Sequence, residues 1–171
     1  MAGFRVQNHP QQTKVRGTKA DVDDRATSPE LFDALNARFG FTLDVAAAAH
    51  NAKCARYFSV EDNGLMQSWA GERVWCNPPY SDIRPWVEKA WMELDHVEVI
   101  AMLLPANRTE QSWWQDLIEP YRDRDIGLIV EFMAERQRFV RPTAFVDMFG
   151  RPRGGAERPP FGVCLLVWQS V

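Results

Sequence analysis

The sequence is poor in cysteine and histidine, with three of each among its 171 residues. Cys54, Cys76 and Cys164 lie far apart in the chain, with no CxxC pair and no cluster of histidines beside them. Disulfide frameworks and zinc sites need such spacings, so the pattern argues against both. We expect the three thiols to be small buried side chains, and we expect no metal site.

Long apolar runs are absent as well. No stretch of about 18 apolar residues is present to span a bilayer, and residues 1–20 are polar and basic, without the apolar centre of a signal peptide. These absences predict a cytoplasmic protein with no membrane partner. With 171 residues, 46% of them hydrophobic, the chain has the size and composition of one domain with its own core.

The net charge of −3 conceals an uneven distribution of charge. Residues 1–19 have four basic residues and no acid, and residues 136–158 have six arginines against two acids, whereas residues 20–135 have ten basic and twenty-one acidic residues. Basic segments of this kind suit a partner that carries phosphates. A flexible tail and an ordinary arginine-rich surface loop explain the same pattern.

The chain divides into two parts by composition. Residues 1–24 have few apolar positions and no periodicity, which predicts a flexible basic arm. Residues 25–171 are expected to form a single domain. Within that domain, residues 136–160 are rich in Arg, Pro and Gly, and we expect a long loop there with a function of its own, such as DNA recognition.

Alternating strand and helix signals predict the fold class. Thr27-Ser28-Pro29-Glu30 is a helix-start pattern, and Gly40 marks the end of that helix. The Ala46–Ala49 run opens either a helix or a tight turn. Strands alternating with helices indicate an α/β fold, a mostly parallel central sheet with helices on both faces. The expected strands are 41–45, 74–76, 97–104, 126–132 and 161–168, and the further helices are 82–94 and 109–118.

The four residues Asn77-Pro78-Pro79-Tyr80, here called the NPPY motif, follow the second predicted strand. In parallel α/β sheets, ligands bind at the carboxyl ends of strands, where Asp44 also lies. An asparagine amide oxygen and a proline carbonyl provide two acceptors for an exocyclic amine, and a tyrosine ring stacks on a planar base. A proline turn with a surface tyrosine is the alternative interpretation of the motif.

Four segments in this order resemble the phage-type DNA N-6-adenine methyltransferases: 27–31 (TSPEL), 43–47 (LDVAA), 62–65 (DNGL) and 75–81 (WCNPPYS). The resemblance covers about residues 27–168. It implies a Rossmann-like S-adenosylmethionine-dependent methyltransferase fold with a seven-stranded core. It also implies double-stranded DNA as partner, S-adenosylmethionine as cofactor, and the cytoplasm of a bacterium or a phage-infected host as the location.

The resemblance also implies roles for individual residues. Asn77 and the Pro78 carbonyl would accept hydrogen bonds from the N6 amine of a flipped adenine, Pro79 would shape the turn, and Tyr80 would stack on the base. The cofactor would be bound by Thr27, Pro29, Asp44, Ala46 and Asp62, and DNA by Arg136, Arg138, Arg141, Arg151 and Arg153.

Three alternatives remain open at this point. The NPPY motif also suits a methyltransferase that acts on a protein glutamine or on RNA. The glycine-rich cofactor motif usual in methyltransferases is missing, so a degenerate nucleic-acid-binding module is the third possibility. Local structure also explains some of the candidate residues, because Thr27 and Pro29 suit a helix start, Asp44 a cap, and Asp62 a turn.

Overall fold

The structure, a computed structural model, describes residues 26–140, 156–157, 159 and 161–170. Three α-helices and nine strands lie in these ranges, together with a 3-10 turn at Leu94–His96. The helices are α1 (Pro29–Phe39), α2 (Arg84–Glu93) and α3 (Ser112–Leu117). The strands are β1 (Ala26–Thr27), β2 (Leu43–Asp44), β3 (Arg56–Tyr57), β4 (Arg73–Cys76), β5 (Val99–Pro105), β6 (Leu128–Phe132), β7 (Phe139–Val140), β8 (Ala156–Glu157) and β9 (Val163–Trp168).

The central sheet has the strand order β3-β2-β4-β5-β9-β6. Strands β3, β2, β4 and β5 pair in parallel, whereas β9 pairs antiparallel with both β5 and β6. A parallel strand needs a crossover connection, usually a helix; the described residues between β6 and β9 form no helix. The mostly parallel sheet is confirmed, with six strands in the described residues where the resemblance implied seven.

Helices cover both faces of this sheet, as the sequence predicted. Side chains of β5 alternate between the faces: Ile100, Met102 and Leu104 belong to one core, and Val99, Ala101 and Leu103 belong to the other. The first core is completed by α2 and α3, and the second by α1. The fold is therefore an α/β fold of the Rossmann-like type.

Helix α1 begins and ends where its sequence signals predict. The Ser28 hydroxyl accepts a hydrogen bond from the Leu31 N–H at 3.3 Å, and Pro29 occupies the first turn. Gly40 ends the helix with a φ of 62°, a left-handed conformation that glycine adopts without strain. Leu31, Phe32, Leu35 and Phe39 then face the sheet.

Other boundaries differ from the sequence prediction. Strand β2 is only two residues long, and α3 is shorter at both ends than the predicted helix. Of the helix and the tight turn that were both possible at residues 46–49, the structure has the turn, in which the Asn51 side chain accepts the Ala48 N–H at 2.7 Å. Cys76 and Cys164 are buried as predicted, but Cys54 is only half-buried, so the prediction was wrong for that thiol.

A second, smaller antiparallel sheet joins distant parts of the chain in the order β1-β7-β8. Thr27 pairs with Phe139, and Val140 pairs with Ala156, so residues on both sides of segment 141–155 meet beside the start of α1. The predicted basic arm at 1–24 and the middle of the predicted 136–160 loop lie outside the described residues.

None of the helices in the described part of the chain has the length and apolar character needed to cross a bilayer. The same residues include no group of three or more His, Cys, Asp or Glu side chains arranged to hold a metal ion.

Candidate active site

An open cleft lies at the carboxyl edge of the central sheet. Asp44 ends β2 and pairs with Trp75 of the neighbouring parallel strand β4, so the residues that follow both strands emerge at one edge. The cleft encloses about 290 Å³, including its solvent-filled mouth. Its lining contains four of the predicted site residues together with three others: Thr27, Asp44, Ala46 and Asn77, then Asn51, Lys53 and Trp75.

Asp44 is a buried carboxyl group, with only 3% of its surface exposed. Its Oδ2 accepts the Lys53 N–H at 3.0 Å, and its Oδ1 accepts the Ala46 N–H at 3.3 Å. Burial nevertheless raises the pKa of Asp44 to about 6, because two backbone hydrogen bonds do not replace the lost water. A cationic group placed in the cleft would favour the ionised carboxylate, so this residue is suited to binding a positive ligand.

Thr27 provides a second polar group that suits a ligand. It is 1% exposed, and its Oγ1 has no hydrogen-bond partner among the residues that the structure describes. A buried hydroxyl without a partner costs about 1–3 kcal/mol. Because Thr27 lines the cleft, a polar ligand there would provide the missing hydrogen bond.

The NPPY motif leaves the sheet at the end of β4. Asn77 lines the cleft, Pro78 is buried, and Tyr80 is half-buried. The Tyr80 ring packs edge-on against Phe139 and at a tilt against Phe161, with both ring centroids 6.3 Å away. The motif is therefore in contact with the small sheet and with the segment that leads into β9.

Arg108 holds the motif from the next strand of the sheet. Its guanidinium donates a hydrogen bond to the Tyr80 carbonyl oxygen. Arg108 lies three residues beyond the end of β5, at the same edge of the sheet. A planar guanidinium on a backbone carbonyl fixes the position of the turn, and the Asp82 N–H closes the turn by donating to the Pro79 carbonyl at 3.2 Å.

Asp62 does not line the cleft; it lies in an exposed turn. Its Oδ2 accepts hydrogen bonds from the Ser59 N–H and the Ser59 hydroxyl, both at 2.8 Å, and these bonds lower the pKa of Asp62. The turn still lies close to the cleft region through Gly64, where an added Cβ would be 2.1 Å from the Val45 carbonyl oxygen. Pro29 is exposed in the first turn of α1 and does not line the cleft either.

Two of the five predicted DNA-binding arginines lie in the described residues. Arg136 and Arg138 are exposed on the segment that leads into β7, next to the start of α1. The pKa of Glu30 there is lowered mainly by hydrogen bonds from its own N–H and from Ser28, with a smaller contribution from Arg138. Arg141, Arg151 and Arg153 lie outside the described residues.

Sequence reasoning missed four residues of the site: Asn51, Lys53, Trp75 and Arg108. Asn51 and Lys53 come back to the cleft because the turn after Ala48 reverses the chain, and no local pattern announces that return. The rule that was applied to Asn77 also predicts Arg108, because Arg108 too follows the carboxyl end of a parallel strand.

The part of the chain that contains the cleft and the NPPY motif is similar to known proteins. The family model of DNA N-6-adenine-methyltransferase (Dam) matches residues 14–140. The DNA N-6-adenine-methyltransferase of Escherichia phage T1 is 37% identical over 93 residues, which are 53% of this chain and 39% of that protein. The protein of the same name from Haemophilus phage HP1 is 34% identical over 108 residues, 61% of each chain.

The chain therefore covers less than two thirds of the length of either relative. A candidate RNA methyltransferase from Pyrococcus horikoshii, known from its crystal structure, resembles 85% of this chain and 61% of its own, with a TM-score of 0.37 and 17% identity. The family match extends over well more than half of the sequence and includes the cleft and the NPPY motif. By its sequence, the chain belongs to the DNA N-6-adenine-methyltransferase (Dam) family.

Proposed function

We propose that the protein transfers a methyl group from S-adenosylmethionine to the N6 amine of adenine in DNA. The observation that carries this proposal is the position of Asn77. It follows β4 at the same sheet edge as the buried Asp44, and both line one cleft. The cleft thus combines an acceptor for an amine that is to be methylated with an anionic group for a cationic cofactor.

The acceptors of the NPPY motif would act on the target amine. The Asn77 amide oxygen and the Pro78 carbonyl are two hydrogen-bond acceptors, which hold the N6 amine and leave its nitrogen lone pair directed at the methyl donor. Because hydrogen bonds to acceptors increase electron density on the donor nitrogen, they also make it a better nucleophile. Pro79 shapes the turn, and Arg108 fixes it through the Tyr80 carbonyl.

Three residues of the cleft lining fit S-adenosylmethionine. Asp44 is a buried carboxylate for its ammonium group, Thr27 has a buried hydroxyl that needs a partner, and Ala46 leaves room for close approach. When bound, this cofactor supplies an electrophilic methyl group attached to a sulfonium. We include Asp62 and Pro29 at the margin of the same site, on the basis of the family resemblance, although both lie in exposed positions outside the cleft lining.

The target base would have to leave the duplex to reach Asn77. Extrusion of a base costs a few kcal/mol and is compensated by contacts in the pocket. The half-buried ring of Tyr80 is a stacking surface for a base, supported from behind by Phe139 and Phe161. Arg136 and Arg138, exposed beside the small sheet, would bind phosphates together with Arg141, Arg151 and Arg153.

The test is a methylation assay with labelled S-adenosylmethionine and DNA from a methylation-deficient host, followed by digestion to nucleosides. The proposal requires label in N6-methyladenine. Parallel reactions with RNA and with a mixture of cellular proteins examine the other substrates that the NPPY motif suits. Label only in N4-methylcytosine, RNA or protein would refute the adenine assignment, and sequencing of the methylated DNA would then define the recognised site.

A further inference from the structure

Lys53 is a cation inside the cleft to which no role has yet been given. It is half-buried, and its Nζ lies 6.0 Å from the centroid of the Phe32 ring. Its backbone N–H donates to Asp44 Oδ2 at 3.0 Å, so the position of the lysine is tied to that of the buried carboxylate. The cleft is therefore lined by an acidic and a basic residue.

Lys53 forms no ion pair with any residue that the structure describes. Burial lowers the pKa of Lys53, against the attraction of Asp44, Asp33 and Glu30. Removing a cation partly from water without a paired anion is costly, and buried charges are generally paired. An anionic ligand in the cleft would supply the partner that the described residues do not provide.

We propose that Lys53 binds the carboxylate of the methionyl end of S-adenosylmethionine, while Asp44 binds the ammonium group of the same end. This inference rests on the proposed function and adds a residue to it. An α-amino acid carries its two charges a few ångströms apart, and Asp44 and Lys53 are oppositely charged residues of one cleft lining, joined by the hydrogen bond from the Lys53 N–H to Asp44 Oδ2.

Lys53 also explains how a cofactor is held in a chain that lacks the glycine-rich motif. A glycine-rich loop binds an anion with backbone N–H groups, but here the backbone N–H groups of Ala46 and Lys53 are both engaged by Asp44. The carboxylate of the cofactor therefore has to be bound by a side-chain cation. A DNA phosphate is a poorer partner for Lys53, because the ionised Asp44 beside it repels a group with no positive charge of its own.

Calorimetric titration with two ligands tests this assignment. S-adenosylhomocysteine has the amino-acid end, and 5′-methylthioadenosine has the same nucleoside without it. Lys53→Gln is expected to weaken S-adenosylhomocysteine binding roughly 10- to 100-fold, the effect of one charge-assisted hydrogen bond. The same variant should bind 5′-methylthioadenosine as the unaltered protein does, which also shows that its cleft is folded.

Two further variants complete the experiment. Lys53→Arg keeps the charge and should recover most of the S-adenosylhomocysteine affinity. Arg56→Gln removes the same charge from an exposed residue nearby that pairs with Glu72 and does not line the cleft, so it should change neither affinity.

The possible failures are distinguishable. If the unaltered protein binds neither ligand, the proposed function itself fails. If it binds both, and Lys53→Gln either keeps its S-adenosylhomocysteine affinity or loses both ligands equally, the proposed function stands and the role given to Lys53 is refuted.

Discussion

Asp44 and Asp62 lie in two regions of the molecule that differ in physical character. Each carboxylate accepts two hydrogen bonds. Asp44, at the end of β2, is buried, and its pKa is raised to about 6. Asp62, in the turn Ser59–Gly64, is exposed, and its hydrogen bonds to Ser59 lower its pKa.

The difference shows that burial, and not the number of hydrogen bonds, determines the direction in which the pKa of each carboxylate is shifted. In water, two hydrogen bonds to Asp62 stabilise its charge fully, and the group forms a stable turn. At the sheet edge, two hydrogen bonds do not replace the water that Asp44 has lost, so a cation gains more free energy by binding there than at Asp62. We call residues 44–53 and 77–80 the strand-end region and residues 59–64 the turn region.

The largest effect is expected for Asn77→Ala in the strand-end region. Loss of one transition-state hydrogen bond in an enzyme site reduces turnover about 100-fold or more, whereas S-adenosylhomocysteine affinity should stay within about threefold, since Asp44 and Thr27 are intact. Single-turnover methylation and calorimetry measure the two quantities.

The matched control for that variant is Asn63→Gly in the turn region. It removes an exposed asparagine but allows the positive φ of 54° that this position adopts. Methylation by Asn63→Gly should remain near that of the unaltered protein. A fully active Asn77→Ala variant would mean that the NPPY motif has been misassigned.

The second prediction sets the two carboxylates directly against each other. Asp44→Asn should weaken S-adenosylhomocysteine binding by roughly 10- to 100-fold, because a charge-assisted hydrogen bond to the ligand ammonium is lost. Asp62→Asn should change it by no more than about threefold, because Asp62 lies at the margin of the site, outside the cleft lining. Equal losses of S-adenosylhomocysteine affinity in the two variants would contradict the difference between the two regions.

Gly64 is the point at which the two regions touch, and Gly64→Ala tests that contact. The added Cβ would lie 2.1 Å from the Val45 carbonyl oxygen, so the backbone must move. We expect a loss of about 1–3 kcal/mol in the free energy of unfolding, the usual cost of overpacking. Urea denaturation measures it, and Gly162→Ala, where a Cβ has open space, is the control. An unchanged midpoint for Gly64→Ala would show that the turn is not packed on the strand end.

The smallest effect is a dependence of binding on pH. Asp44 must be ionised to bind an ammonium group, and its pKa is about 6, so S-adenosylhomocysteine affinity should fall about tenfold between pH 7 and pH 5. Without ligand the sign is opposite: the raised pKa means that protonation of Asp44 stabilises the fold, and this stabilisation is lost as pH rises through about 6.

Calorimetry of Asp44→Asn and Asp62→Asn across this pH range tests the difference between the two carboxylates. Asp62→Asn should keep the full pH dependence, because the lowered pKa of Asp62 leaves that group ionised throughout. Asp44→Asn should bind weakly at every pH. A profile of the unaltered protein that does not change with pH would contradict the role of Asp44.

Local signals in the sequence accounted for much of the site. Ser28 and Gly40 define α1 because a cap and a left-handed residue act within one turn of the helix. Asp44 and Asn77 were found from the rule that parallel strands end at one edge. The position of Lys53 and the pairing of Thr27 with Phe139 were not predicted. The first depends on a chain reversal and the second on a contact across more than a hundred residues, and neither leaves a local pattern.

The direction of β9 illustrates the same limit on a larger scale. Its apolar sequence predicted a buried strand, and the strand is fully buried, but hydrophobicity carries no information on direction. Strand β9 runs antiparallel to both of its neighbours, and the described residues between β6 and β9 form no helical crossover.

A crystal structure of the protein with S-adenosylhomocysteine tests the central claim most directly, namely that the strand-end region holds the cofactor. We expect the ligand ammonium within hydrogen-bonding distance of the Asp44 carboxylate, with the adjoining thioether facing Asn77. An amino-acid end bound at the Asp62 turn, or anywhere outside the cleft, would contradict it.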